Sequence, residues 1–308
     1  MFDMSRAFDS IEVDLLKVGI VTRNAQSWCT TQLREALEKA GVEPVTLSFS
    51  HLLARVGGRP AVEYKNFDAT SLEALIVRPI GSGSLDEIIL RIDILHRFER
   101  LGLRIINSPS SIEKAVDKYH ALCILEEKGY PVPRTAVAED WKEALVSFYE
   151  LGGDVVVKPL FGSRGVGSTR ISDPDIATRV FKILAQHHQA IYVQEYLPHG
   201  GRDIRAFVVG KEVVASMYRV ADGWKTNVSQ GARPVPMRLG EALSELAVNA
   251  VKALGCEVAG VDVMETPNGP VVLEVNSQPG WKGLQSVTEK WIAGTIVRYV
   301  LERCGRSC

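Results

Sequence analysis

Three oxygen-bearing side chains lie near the carboxyl terminus, within two apolar stretches separated by a short turn. Asp262 belongs to the first stretch, and Glu274 and Asn276 belong to the second. The intervening residues 266–270, Thr-Pro-Asn-Gly-Pro, contain the Asn-Gly pair typical of β-hairpins. Because strand residues two positions apart project from one face, Glu274 and Asn276 share a face that Asp262 can reach from the neighbouring strand.

Two carboxylates and a side-chain carbonyl are hard oxygen ligands that suit Mg²⁺ or Mn²⁺ and leave coordination positions for phosphate oxygens and water. The alternative is a half-buried sheet whose polar side chains face solvent. We favour the metal site, because such apolar flanks rarely carry three oxygen donors on one face. The sequence therefore predicts that Asp262, Glu274 and Asn276 lie where the chemistry takes place.

A lysine followed by a glycine-rich loop forms a second candidate site. Residues 154–158 predict a buried strand that ends at Lys158, and the loop 161–168 that follows contains Gly162, Gly165 and Gly167. Glycines let backbone N–H groups approach phosphates closely. The loop has neither the ending of a Walker loop nor the spacing of a dinucleotide fingerprint. A flexible hairpin tip is the alternative, but Lys158 and the downstream oxygen cluster together favour phosphate binding.

Two further segments carry polar groups that suit a nucleotide site. Residues 190–198 predict a strand that breaks at a proline, and its end at 195–197 could offer backbone and carboxylate groups to an adenine and a ribose. An ordinary strand end is the alternative. A β-hairpin predicted over 201–218 begins with charged residues. Arg205 and Arg219 are therefore expected near the metal-binding sheet.

The elements that must position these groups fall into three blocks, 17–107, 108–196 and 197–308. In the first block strands and helices alternate, which predicts a small parallel sheet with helices on its faces. The predicted strands are 17–22, 42–49, 72–78 and 103–107, and the predicted helices are 31–40 and 85–101. Ligands bind beyond the carboxyl ends of such strands. Arg23 and Arg78 are therefore candidates for binding an anionic substrate, with a solvated arginine and a plain turn as the alternatives.

The composition is that of a soluble globular protein. The chain has 308 residues, of which 46% are hydrophobic and 24% charged, and its 36 basic and 37 acidic residues nearly balance. This balance argues against a general attraction to nucleic acid, and no apolar run approaches the length of a membrane span. The five cysteines are scattered, which favours idle thiols in the reducing cytoplasm over a disulfide framework or a zinc site.

Together these motifs resemble the ATP-grasp superfamily and, within it, the RimK-type α-L-glutamate ligases. The match is specific because several motifs occur in the family's order over about residues 18–303. They are Asp117-Lys118, Val157-Lys158-Pro159, the loop 161–167, Gln194-Glu195-Tyr196, Arg202-Asp203-Ile204-Arg205, Lys225-Thr226-Asn227, Asp262 and the segment 273–280. The resemblance implies an α/β fold that is α+β in its C-terminal part. A parallel α/β subdomain (17–107) would precede a central lid subdomain (108–196) and a C-terminal metal-binding subdomain (197–308), with the nucleotide between the two β-rich subdomains.

The resemblance also implies a role for individual residues. Those implied to bind ATP are Lys118, Lys158, Gly162, Ser163, Gly165, Gly167, Gln194, Glu195, Tyr196, Leu197, Asp203, Lys225, Thr226 and Asn227. Within this set, Glu195 and Tyr196 would hold the adenine and Asp203 the ribose region. Asp262, Glu274 and Asn276 would bind two Mg²⁺ or Mn²⁺ ions. The expected catalytic residues are Lys158, Arg205 and Arg219. The expected substrate contacts are Arg23, Arg78, Asn227 and Trp281, the last as an exposed ring that stacks on the acceptor or, alternatively, as a core residue.

The implied reaction joins a carboxylate to an amine through an acyl phosphate. An acceptor carboxylate would take the γ-phosphoryl group of ATP, and the amine of L-glutamate would then displace phosphate. Residues 279–285 look most like family members that extend a small-molecule coenzyme tail such as that of tetrahydromethanopterin. The alternatives are the deazaflavin coenzyme, an amino-group carrier protein of lysine biosynthesis, a ribosomal protein C-terminus, a D-alanine–D-alanine ligase and a nucleotide-binding protein without turnover.

One departure from the family weighs against the ribosomal acceptor. Residues 230–232 read Gln-Gly-Ala, where the bacterial ribosomal-protein member tends to carry Arg-Gly-Gly. The resemblance further implies a cytoplasmic homo-oligomer, either a dimer or a tetramer, with no nucleic-acid or membrane partner.

Overall fold

A computed structural model describes residues 16–162 and 165–306, so the predicted contact of Ser163 lies outside the described residues. The amino-terminal part alternates strands and helices. Its elements are β1 (Lys17–Val21), α1 (Trp28–Lys39), β2 (Glu43–Leu47), β3 (Leu52–Ala54), β4 (Val62–Tyr64), β5 (Phe67–Asp68), β6 (Ala74–Val77), α2 (Leu85–Arg100) and β7 (Arg104–Ile106). Four of the strands form a parallel sheet in the order β2-β1-β6-β7. The predicted parallel sheet is therefore present, with each strand within two residues of its expected ends.

Local sequence explains where the helices of this part begin and end. Ser27 caps α1 by accepting a hydrogen bond from the Thr30 backbone N–H, and Ser84 and Glu87 form a reciprocal capping box at the start of α2. Gly41 follows α1 with φ of +72°, a left-handed conformation that suits glycine at a helix end. The short antiparallel sheet β3-β4-β5 was not predicted from the sequence.

The middle part of the chain carries the glycine-rich loop on an antiparallel sheet. Its elements are α3 (Pro109–Val116), α4 (Lys118–Glu127), β8 (Thr135–Ala138), α5 (Trp141–Glu150), β9 (Val155–Lys158), β10 (Thr169–Ile171), α6 (Pro174–Gln186) and β11 (Ile191–Glu195). The sheet order is β10-β9-β11-β8, and α5 and α6 cover it through Phe148 and Phe181. Because α3 and α4 pack instead on the carboxyl-terminal sheet, Lys118 is held beside that sheet.

A five-stranded sheet dominates the carboxyl-terminal part, in the order β14-β13-β12-β15-β16. Its elements are β12 (Arg202–Val209), β13 (Glu212–Val220), β14 (Arg233–Pro236), α7 (Glu241–Ala253), β15 (Val258–Thr266), β16 (Gly269–Asn276), α8 (Lys282–Gln285) and α9 (Ile292–Arg303). Strands β15 and β16 form the predicted hairpin, with Asn268 and Gly269 at the turn. Among the described residues, no helix is both long and apolar enough to cross a membrane.

Buried polar contacts join the first sheet to the carboxyl-terminal sheet. Asn107, at the end of β7, donates to the carbonyls of Val258 (2.7 Å) and Ser277 (2.5 Å). Its Oδ1 accepts from the backbone N–H groups of Glu257 and Val258 at 2.7 and 2.8 Å. Helix α1 also packs on α9, so these two helices share one hydrophobic core. These contacts fix the amino-terminal sheet beside the end of β16.

Candidate active site

The predicted metal ligands occupy neighbouring positions on the β15-β16 hairpin. Asp262 lies directly opposite Glu274, and Asn276 pairs with Gly260 one step along the same face. Asp262 is only 4% exposed, whereas Glu274 and Asn276 are half-buried. A register shift immediately after Asp262 changes the pairing of the two strands there. The hairpin thus brings the three predicted oxygen donors together.

This donor set fits a divalent cation. Asn276 has a buried Nδ2 with no partner among the described residues, so its amide is not committed to another contact. The described residues contain no group of three or more His, Cys, Asp or Glu side chains placed to hold a metal. The candidate therefore has two carboxylates and one amide, and phosphate oxygens and water would have to complete the coordination shell.

Two arginines hold the carboxylate of Asp262 from the neighbouring strands. Arg205, opposite Asp262 on β12, donates from Nη2 to Oδ2 at 3.0 Å, and its Nε lies against Oδ1. Arg219 on β13 places its Nη2 3.0 Å from the same Oδ2. Burial alone would raise the pKa of Asp262, but the two guanidinium groups outweigh it and hold that pKa below its ordinary value. Asp262 is therefore ionised and paired.

Asp203 orients Arg219 across the β12-β13 pair. Arg219 donates from Nε to Oδ1 of Asp203 at 2.7 Å and also contacts Oδ2, and the Thr226 hydroxyl donates to Oδ2 at 2.8 Å. Burial opposes the charge of Arg219, yet Asp262 and Asp203 raise its pKa above the ordinary value. Both oxygens of Asp203 are engaged. Asp203 also lines the cavity described below, and its contact with the ribose region stays a prediction.

A cavity that is partly open to solvent lies between the middle sheet and the carboxyl-terminal sheet. Most of the predicted nucleotide-binding and metal-binding residues line it. They are Lys118, Lys158, Gly162, Gly165, Gln194, Glu195, Tyr196, Leu197, Asp203, Lys225, Thr226, Asn227, Asp262 and Glu274, together with the catalytic candidate Arg219. Gly167, Arg205 and Asn276 are not part of the lining, and Arg205 reaches the site through Asp262.

Two lysines face the cavity with neutral partners. Lys158, at the end of β9, donates to Oε1 of Gln194 at 2.5 Å. Lys118 donates to the carbonyls of Gly162 (2.9 Å) and Leu160 (3.3 Å). Burial lowers the pKa of Lys158 to about 8, Lys118 contributes to the decrease, and Glu274 opposes it. Burial also lowers the pKa of Lys118. Within residues 16–162 and 165–306, neither ammonium group has a carboxylate in direct contact, and both are suited to an anionic ligand.

Gly165 of the glycine-rich loop lies against Asn227, and both residues line the cavity. Gly165 has φ of +70°, and a Cβ placed on it would lie 2.2 Å from Oδ1 of Asn227. A side chain at position 165 would therefore need a strained backbone and a displaced Asn227. Gly165 and Asn227 therefore meet within the lining of the cavity.

Residues 195–199 line another part of the cavity. The carboxylate of Glu195 accepts hydrogen bonds from the backbone N–H and Nε of Arg134, both at 2.8 Å. Tyr196 has the guanidinium of Arg170 3.5 Å from its ring centroid. His199, which the sequence analysis did not select, is 8% exposed and has a buried Nδ1 with no partner among the described residues. The Pro-His-Gly-Gly context reads as a plain turn, so nothing in the sequence marks this histidine.

The predicted substrate contacts divide into two groups. Arg78 is buried, donates to the Pro279 carbonyl at 2.9 Å and places its guanidinium 4.8 Å from the centroid of Trp281. Trp281 is only 1% exposed, so the prediction of an exposed, stacking Trp281 is wrong and the core alternative holds. Arg78 likewise supports the segment after β16. Arg23 remains exposed, lies against Gly81 and donates to the Ser82 hydroxyl at 3.0 Å, so it stays available to an anionic substrate.

Comparison with known families agrees with this geometry. A RimK-like ATP-grasp domain matches residues 115–300, and a RimK PreATP-grasp domain matches residues 16–112. The chain belongs to the RimK-like ATP-grasp family. The resemblance inferred from the sequence, the ATP-grasp fold and the prediction of an ATP-grasp ligase are therefore confirmed.

Sequence relatives extend over nearly the whole chain. It is 34% identical over 292 residues to tetrahydromethanopterin:alpha-L-glutamate ligase of Methanococcus maripaludis, covering 92% of this chain and 97% of that protein. It is 33% identical over 290 residues to a probable alpha-L-glutamate ligase of Photobacterium profundum, covering 92% and 95%.

Solved structures share the fold at lower identity. A RimK domain ATP-grasp protein from Sphaerobacter thermophilus has a TM-score of 0.73 and 22% identity, covering 92% of this chain and 99% of that one. The ATP-grasp ligase PsnB, solved with a minimal precursor, Mg and ADP, has a TM-score of 0.73 and 19% identity, covering 94% and 98%.

Proposed function

We propose that this protein is an ATP- and Mg²⁺-dependent ligase that joins L-glutamate to an acceptor carboxylate, forming ADP and phosphate. One observation carries the proposal. A single cavity is lined by Lys118 and Lys158 and by the facing carboxylates of Asp262 and Glu274. The hydrogen bonds of the two lysines to described residues go to neutral oxygens. Cations without anionic partners suit the phosphates of a nucleotide, and paired carboxylates suit the metal that accompanies it.

The chemistry requires one anion to approach another, because a carboxylate attacks a phosphoryl group. At about 4 Å and an effective dielectric near 20, each pair of unit charges repels by roughly 4 kcal/mol. Lys118 and Lys158 offset this repulsion at the phosphates, and Arg219 offers donors at the opposite wall of the cavity. Divalent metal, which we propose as two ions held by Asp262, Glu274 and Asn276, would neutralise charge on the transferred group.

The second half-reaction needs a dry site, since acyl phosphates react with water. The loop containing Gly165 and the side chain of Asn227 already touch across the cavity mouth, and this contact supports a role for them in excluding water. For the oxyanion that forms when the amine attacks, we propose Arg205 and Arg219 as the stabilising donors. Arg23, exposed beyond the carboxyl end of β1, is a candidate contact for a substrate carboxylate.

For the acceptor we propose a small-molecule coenzyme tail of the tetrahydromethanopterin kind, since a relative of that name is 34% identical over nearly its full length. The alternatives are a deazaflavin coenzyme, an amino-group carrier protein and a ribosomal protein C-terminus. We also propose a cytoplasmic homo-oligomer.

The test measures ADP formed with L-glutamate and a coenzyme extract, with product masses recorded. We expect glutamate-dependent ADP and a small cofactor heavier by one glutamyl unit. Asp262→Asn or Glu274→Gln should lower the rate about a thousandfold, equivalent to roughly 4 kcal/mol of transition-state stabilisation. Glu265→Gln is the matched control, because Glu265 lies on the same strand but is exposed and paired with Arg202. ATP binding without acceptor-dependent ADP would instead support a non-catalytic nucleotide-binding protein.

A further inference from the structure

Asp262 is already neutralised by guanidinium groups where the proposed function places a metal ion. Both Arg205 and Arg219 approach its Oδ2 to 3.0 Å, and the Asp262 side chain is 5% exposed. An ionised carboxylate oxygen offers about two lone-pair directions, and the two guanidinium groups take both of them on Oδ2. Metal binding at Oδ2 of Asp262 therefore requires at least one arginine to withdraw.

The two arginines differ in how firmly they are held. Arg219 has a second carboxylate partner, Asp203, which is itself fixed by Thr226. Arg205 has Asp262 as its polar partner among the described residues. Its side chain is 13% exposed, against 5% for Arg219. Losing Asp262 would leave Arg219 paired, so Arg205 is the arginine that the site shares with the metal.

Space around Arg205 also depends on a glycine. A Cβ placed on Gly260 would lie 2.8 Å from Nη1 of Arg205 and 3.0 Å from Cβ of Pro279. Gly260 does not have a positive φ, so glycine is needed there for the space it leaves and not for its backbone conformation. The guanidinium of Arg205 occupies the space that a side chain at position 260 would fill.

The charges around Asp262 determine when a metal ion can displace Arg205 from it, and they make this displacement depend on the nucleotide. Among the described residues, cations outnumber carboxylates by one in this part of the structure, with Lys118, Lys158, Arg205, Arg219 and Lys225 against Glu195, Asp203, Asp262 and Glu274. A free dication would add to an excess of positive charge, whereas a metal–nucleotide complex brings net negative charge with it. Two unit charges about 4 Å apart interact by roughly 4 kcal/mol at an effective dielectric near 20. The sign of the net charge on the incoming ligand therefore determines whether the site binds it.

We propose that Arg205 is an exchangeable counter-ion that excludes free divalent metal from Asp262 and gives way only to metal bound to a nucleotide. This inference rests on the proposed function and adds an order of binding to it. The released guanidinium stays beside the site and can then face the anionic substrate. The nucleotide-free protein is thus not a metal-binding protein, although it holds the metal ligands in place.

The test is a titration with Mn²⁺ alone, in which electron paramagnetic resonance counts the unbound ion. Wild-type protein should leave Mn²⁺ free in the absence of nucleotide and bind it when ADP is present. Arg205→Gln should bind Mn²⁺ without nucleotide at least tenfold more tightly than wild type. Arg205→Lys retains the positive charge and should still exclude free Mn²⁺. Arg202→Gln, at an exposed position on the same strand, should behave like wild type.

The outcomes test the counter-ion role of Arg205 and the existence of the metal site separately. Tight binding of Mn²⁺ by nucleotide-free wild type, or no gain in a folded Arg205→Gln, would overturn the counter-ion role and leave the ligase proposal intact. Failure of Mn²⁺ to bind even with ADP would overturn the metal site itself. If Arg205→Gln does not fold, Arg205→Ala with millimolar guanidinium provides the second measurement. Added guanidinium should displace Mn²⁺ from that variant, and absence of competition would contradict the proposal.

Discussion

The two ends of the cavity hold their cations in opposite ways. At one end, Lys158 at the end of β9 and Lys118, whose helix packs on the carboxyl-terminal sheet, bond to amide and carbonyl oxygens. Neither ammonium has a carboxylate in direct contact within the described part of the chain. At the end formed by the carboxyl-terminal sheet, Arg205 and Arg219 are paired with Asp262, and Arg219 also with Asp203.

The difference indicates that the lysines contribute to ligand binding and that the arginine pairs contribute to the stability of the fold. A buried ammonium without an anionic partner is costly in the free protein and gains most when phosphate arrives. A buried arginine between two carboxylates is already satisfied, so removing one partner leaves a charge uncompensated. Substitutions at the lysine end should therefore weaken ligand binding, whereas substitutions at the arginine end should weaken the fold as well.

The largest effect on stability is expected for Asp203→Asn. This change removes the carboxylate that pairs with Arg219 and accepts from Thr226, within a site that is almost fully buried. Breaking a buried ion pair costs about 3 kcal/mol at the low end, which applies here because Asp262 still faces Arg219. Urea unfolding would measure the loss. Asp222→Asn, at an exposed position in the loop that follows β13, serves as the control and should change little.

Lys158→Gln should weaken ligand binding without the loss of stability expected for Asp203→Asn. Among the described residues the ammonium bonds to the Gln194 amide alone, so its loss removes a phosphate contact without leaving a buried charge unpaired. We expect ADP affinity to fall about a hundredfold, or roughly 3 kcal/mol for a charge-assisted contact, with unfolding free energy unchanged or higher. Calorimetric titration and urea unfolding would check both, with exposed Lys252→Gln as the control. A large loss of stability here would contradict the contrast between the two ends.

The sequence predicted most of the strands and helices that form the cavity, but it did not predict all of them. The period-two and helical patterns predicted the strands and helices of the first sheet, and the β15-β16 hairpin brought together Asp262, Glu274 and Asn276 because strand spacing determines which side chains share a face. The short strands β3 to β5 were missed, since two or three residues carry too little periodic signal.

The pairing inside the site could not be predicted in the same way. That Arg205 lies opposite Asp262, and Asp203 opposite Arg219, follows from the register between strands distant in sequence. The burial of Trp281 depends on α1 and α9 meeting beside Arg78, which a local Pro-Gly-Trp segment does not reveal. Side-chain partners across elements were therefore the part that the sequence left open.

The lysine end should also respond to pH. Burial lowers the pKa of Lys158 to about 8, well below its value in an unfolded chain. As pH rises through 8, the free protein loses this charge, so ADP affinity should fall, approaching tenfold per pH unit. Above the same pH the unfolded chain binds more protons than the folded one, so the contribution of Lys158 to unfolding free energy should rise. Lys158→Arg should flatten the affinity profile, and an unchanged profile would remove Lys158 from phosphate binding.

The smallest expected effect concerns the loop that covers the lysine end. Gly165→Ala forces an L-residue into φ of +70° and drives its Cβ against Asn227, so the loop should close less readily and ADP affinity should fall about tenfold. Gly152→Ala is the matched control, since Gly152 has φ of +96° and no atom within 4 Å of the added Cβ. It shares the backbone strain but not the collision. If Asn227→Ala restores affinity to Gly165→Ala, the contact between loop and Asn227 limits closure; if it does not, backbone strain alone accounts for the loss.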